Sequence, residues 1–91
     1  MDEVGVVVSG RVQGVGYRYF VRDAAIRRGI RGWVRNNPDG TVSLVATGER
    51  GDLEEFLEEI RADGDACIRV RDISVSWTGA TQEWQGFEIR R

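Results

Sequence analysis

A chain of 91 residues, 41% hydrophobic and 31% charged with a formal net charge of -2, has room for one domain over 1–91, whose folding buries roughly 60 to 70% of the extended-chain surface. The composition excludes disorder, no apolar run approaches the ~18 residues of a spanning helix, and Met1-Asp2-Glu3 lacks the basic start of a secretory signal. With no histidine and a single cysteine, Cys67, neither an intrachain disulfide nor a His/Cys metal site is open to it, and it lacks the positive excess of a non-specific nucleic-acid binder.

Val4 to Ser9 reads as a strand, β-branched and apolar on both faces as a central strand would be. Tyr17, Phe20, Val21, Ala24 and Ala25 then recur three and four apart, a helix over Tyr17 to Arg28 that Gly29 closes. Ile30 to Arg35 returns as a strand, Asn36-Asn37-Pro38-Asp39-Gly40 is dense in turn formers, and the alternation over Thr41 to Thr47 completes a hairpin.

Gly48 to Gly51 breaks that strand. Asp52 and Glu55 then resemble a capping box for an amphipathic helix built on Leu53, Phe56, Leu57 and Ile60. Glu54, Glu55, Glu58 and Glu59 read as its solvated face rather than as a metal site. A strand over Ile68 to Trp77 changes parity near Arg71-Asp72, which predicts a bulge there. Thr78 to Gln85 reads as a loop, and Phe87 and Ile89 mark a last short strand. The element order implies an α+β, ferredoxin-like two-layer sandwich, with two helices on one face of an antiparallel sheet of four to five strands.

The chemistry concentrates in Gly10-Arg11-Val12-Gln13-Gly14-Val15-Gly16-Tyr17-Arg18, a glycine-rich turn from strand to helix. A phosphate loop of the nucleotide-binding kind needs Gly-Lys-Ser/Thr, and the chain has no lysine. A dinucleotide fingerprint needs a third glycine where Tyr19 stands. What survives is a cradle of backbone N–H groups at a helix start, with the planar fork of Arg18 beside it, suited to a phosphate. The residues alone leave alternatives open: the glycines serve equally as turn formers, Arg18 as a solvated helical cation, and Asn36 and Asn37 both as turn residues. Trp33 reads as core or sheet packing and Cys67 as a small filler.

That nonapeptide together with Gly32-Trp33-Val34-Arg35-Asn36 resembles the pair of signature motifs of the acylphosphatase family, and the likeness extends to length and element order. The resemblance implies hydrolysis of the carboxyl–phosphate anhydride of an acyl phosphate, with inorganic phosphate as product. It implies that Arg18 holds the phosphate with the amides of Gly10, Arg11, Val12, Gln13, Gly14 and Val15, and that Asn36 orients the attacking water. Arg11 does not carry the family's catalytic assignment. No cofactor or metal is implied, and the expected form is a cytoplasmic monomer. Family members often carry Gly-Pro-rich sequence after the second helix, where this chain has Ala62-Asp63-Gly64-Asp65-Ala66.

Three other readings share the element order. An RNA-recognition domain would need aromatics on the strands Val4 to Ser9 and Thr41 to Thr47, which have none. A carbamoyl-phosphate module of a larger maturation enzyme, or a regulatory domain that binds an anion without turnover, would keep the cradle. For the enzyme, the absence of histidine predicts a rate nearly flat between about pH 5.5 and 8.

Overall fold

The computed structural model describes residues 1–79 and 83–91. Seven elements follow in the order β1 (Asp2–Arg11), α1 (Tyr17–Arg27), β2 (Arg31–Asn36), β3 (Val42–Gly48), α2 (Arg50–Glu59), β4 (Arg69–Gly79) and β5 (Phe87–Arg90). They form one five-stranded sheet in the order β4-β1-β3-β2-β5. Pairings are antiparallel except β2 with β5, which run parallel. The sheet is therefore mixed, because the chain returns past α2 and β4 to add its last strand beside β2.

Register explains which face is covered. Val4, Val6 and Val8 of β1 stand opposite Ala46, Leu44 and Val42 of β3, and this apolar set packs with Tyr17, Val21 and Ala24 of α1 and Leu53 and Phe56 of α2 in one core. Helix spacing puts those residues on one stripe of each helix, so burying the stripe and the strand face is a single event. Phe56 meets Phe87 edge-on at 6.3 Å, tying α2 to the late strand β5. The other sheet face carries no helix, and Val7 there stays 43% exposed, so β1 is central without being buried on both sides.

The two helices are joined by polar contacts as well. The Tyr17 hydroxyl donates to the Ile60 carbonyl at 2.6 Å in the core, and burial pushes its pKa above the usual phenol value. Arg28 donates to Glu59 at 2.9 Å and to Glu55 at 2.7 Å, and Arg27 also bonds Glu59. Part of the acidic face of α2 is thus an interhelical clamp rather than purely solvated.

Several sequence expectations shift in detail. α2 starts at Arg50 with Glu49 as its N-cap and no side-chain cap bond, so Asp52 lies inside the first turn and no capping box forms. The expected bulge is present: Ser9 pairs Asp72 while Gly10 pairs Val70, leaving Arg71 as the extra residue. β4 extends through Thr78 and Gly79, which the residue pattern assigns to a loop; the part of that loop over 80–82 lies outside the described residues. Of the two readings of Trp33, core or sheet packing, the second holds: it is half-buried on the open face, with the Arg35 and Arg90 guanidinium groups 5.5 and 5.0 Å from its ring centroid. The turn at Ala62 to Ala66 closes without proline: Ala62 adopts φ 54°, and Asp65 Oδ1 accepts from the N–H groups of Cys67 and Ile68 at 2.8 and 2.9 Å. Cys67 itself is exposed. Among the described residues, no helix is long and apolar enough to cross a membrane.

Candidate active site

Six elements end or begin at one end of the sheet: β1, α1, β2, β3, β4 and β5. The first two flank the glycine turn. β1 continues through Gly10 and Arg11, both paired to β4, so the free loop is shorter than the sequence implied and runs from Val12 to Gly16. Gly10 is required by the bulge: at φ 126° a Cβ would lie 2.2 Å from the Arg69 carbonyl oxygen. Gly14 and Gly16 differ from it. They hold φ 74° and 78° with open space where a Cβ would stand, so the backbone path, not crowding, demands glycine there.

Val12 points its side chain into the core at 1% exposure, leaving only its backbone to the loop. α1 then begins on Gly16 with no side-chain cap and no acidic residue in its first turn, and the first intrahelical donor is Phe20, to the Gly16 carbonyl at 3.1 Å. Among the described residues the N–H groups of Tyr17, Arg18 and Tyr19 have no backbone acceptor, and free donors at a helix start suit an anion.

Gln13 anchors this loop to the β2–β3 hairpin. Its Nε2 donates to the carbonyls of Asn37 and Thr41, both at 2.8 Å. The hairpin is held in turn by Asn37, whose Nδ2 donates to Thr41 Oγ1 at 2.9 Å and Ser43 Oγ at 2.7 Å. Asp39 accepts from the Thr41 hydroxyl at 2.6 Å and N–H at 3.0 Å, and these bonds hold its carboxyl below the usual range. Nothing in the periodicity of the sequence signals that a loop glutamine reaches 24 residues forward.

Asn36 ends β2 opposite Val42. Its Oδ1 is buried and, among the described residues, has no hydrogen-bond partner. A buried carbonyl without a donor costs about 1–3 kcal/mol, and among the described residues this one stands unsatisfied. Asn37 spends its amide on the hairpin and Asn36 does not, which separates two residues that composition leaves equivalent.

Arg18 is half-buried in the first turn of α1, and among the described residues it forms no ion pair. Arg11 is exposed on β1, opposite Arg69. No group of three or more His, Cys, Asp or Glu among the described residues is placed to hold a metal ion. The glycine loop and the start of α1 are thus tied by Gln13 to the hairpin that Asn36 borders, with Arg18 on the helix side and, among the described residues, Asn36 Oδ1 unpartnered on the strand side.

A family model described as acylphosphatase matches residues 4–89. An acylphosphatase of Salinibacter ruber is 42% identical over 97% of this chain and 92% of its own. The crystal structure of acylphosphatase from Bacillus subtilis superimposes with a TM-score of 0.95 at 38% identity over the whole of both chains. A structure of full-length HypF in the phosphate- and nucleotide-bound form matches at TM-score 0.86 and 31% identity over 99% of this chain and 12% of its own.

Proposed function

The chain belongs to the acylphosphatase family and hydrolyses the carboxyl–phosphate anhydride of acyl phosphates, and from that premise we propose how its own residues carry the reaction. The amides from Val12 through the first turn of α1 hold the phosphoryl oxygens, and Arg18 grips them bidentately. The side-chain amide of Asn36 hydrogen-bonds the attacking water and aims the water's lone pair at phosphorus. The P–O bond to the acyl oxygen breaks, the carboxylate leaves with the electron pair, and the water's proton passes to a phosphoryl oxygen. Carboxylate is already a good leaving group, so positioning and charge stabilisation suffice, and no side-chain base is needed.

The observation that supports this reading most is the Asn36 side chain, whose Oδ1 is buried and unpartnered among the described residues, next to the hairpin residue that Gln13 ties to the loop. Reaction without metal, in a cytoplasmic monomer, belongs to the same proposal. The test is hydrolysis of benzoyl phosphate in the presence of chelator. Arg18→Ala is expected to lose about 10³-fold in turnover, by the scale of other phosphate-gripping arginines. If Arg11→Ala were the more damaging change, the wrong cation would have been assigned.

A further inference from the structure

Arg18 also lines an open cleft of about 720 Å³ that runs from the first turn of α1 to the end of β5. Phe87 and Ile89 supply its apolar part, and Tyr19, Arg22, Glu88 and Arg91 its polar part. Tyr19 is 54% exposed there, and the Arg22 guanidinium lies 5.1 Å from its ring centroid. Arg18, Arg22 and Arg91 line the cleft with one carboxylate, Glu88, which already accepts from Arg90 at 2.8 Å. Among the described residues Arg22 pairs only with its neighbour Asp23, at 3.3 Å. In a chain whose net charge is -2, this excess is local and attracts anions to the cleft.

We propose that this cleft receives the acyl chain, and that Arg22 and Arg91 make the enzyme selective for acyl phosphates whose acyl group carries a second negative charge; the inference rests on the acyl-phosphate reading above. Arg18 and Arg22 are one helical turn apart, roughly 5–6 Å between their Cβ atoms. That interval suits a short hydrocarbon chain between a phosphate on Arg18 and a carboxylate on Arg22. Phe87 and Ile89 cover the methylenes. The substrate class is the monoacyl phosphate of a dicarboxylic acid of about four carbons.

The test compares succinyl phosphate with butyryl phosphate, near in size and differing by the distal carboxylate, each kcat/KM being divided by the uncatalysed rate. The wild type is expected to prefer succinyl phosphate about 5- to 10-fold at low salt, as one half-exposed charge contact allows, and less at high salt. Arg22→Gln combined with Arg91→Gln should bring the ratio to about one, and Arg22→Glu should reverse it. Circular dichroism and inorganic phosphate binding verify that each variant is folded with its cradle intact. A wild-type ratio of one or below, or a ratio unchanged in the double variant, overturns the subsite alone. Failure to hydrolyse either compound overturns it together with the acyl-phosphate reading.

Discussion

Asn36 and Asn37 adjoin in the chain and meet opposite fates. Replacing Asn37 by Ala strips donors from the Thr41 and Ser43 hydroxyls, and we expect a loss of about 1–2 kcal/mol in urea unfolding at unchanged m. Replacing Asn36 by Ala removes a buried carbonyl that nothing in the described residues satisfies. Its stability should therefore hold or rise, by up to about 1 kcal/mol, while turnover falls, the pattern of a residue kept for chemistry at some cost to stability. A variant clearly less stable than wild type would make Asn36 a structural residue. Gly10 and Gly14 form a second contrast. Gly10→Ala drives a Cβ into the Arg69 carbonyl and should weaken the fold by more than ~2 kcal/mol, whereas Gly14→Ala meets only an unfavourable φ and costs about 1 kcal/mol. The glycine motif was legible in sequence, but these two reasons for it were not, since a bulge and an open loop leave the same letter.

At the scale of elements, helix stripes and strand alternation located both helices and the hairpin because each pattern reflects a single buried face. The parity change near Arg71 likewise located the bulge. Boundaries were less legible: α2 begins on backbone geometry at Glu49 rather than on a capping side chain, and β4 outruns its apolar residues because pairing to β1 carries it to Gly79. Long-range polar contacts were not legible at all. The Tyr17 bond to Ile60 looks in sequence like one more apolar position of α1. Tyr17→Phe leaves the carbonyl at the end of α2 without its donor, and thermal unfolding should register about 1–2 kcal/mol of destabilisation with little change in turnover. An unchanged melting temperature would show that the bond contributes nothing net.

For the whole molecule, the titrating groups define how stability follows pH. Glu59 keeps a carboxyl below the usual range although its partial burial pushes upward, because bonds from Arg27 and Arg28 outweigh that burial. Asp65 is lowered by the N–H groups of Ile68 and Cys67, and Asp39 by Thr41. In each case the folded pKa lies below the unfolded one, so the contribution is present above the ordinary carboxylate range and is lost as pH falls through the lowered value. Tyr17 is raised, so its contribution is present below the ordinary phenol value of 10.0 and is lost as pH climbs above it. With no histidine between these limits, melting temperature should be nearly level from about pH 5.5 to 8 and fall on both sides. A sigmoidal step near pH 6.5 would contradict this account.

If Asn36 acts on the water and Arg18 with the loop amides on the phosphate, steady-state hydrolysis of benzoyl phosphate by Asn36→Ala, paired with calorimetric binding of inorganic phosphate, separates the two roles. We expect a fall in kcat of about 10²-fold, the scale of one lost positioned hydrogen-bonding group, with phosphate affinity within roughly threefold of wild type. Full turnover in the variant, or a loss of phosphate binding in step with kcat, would contradict it.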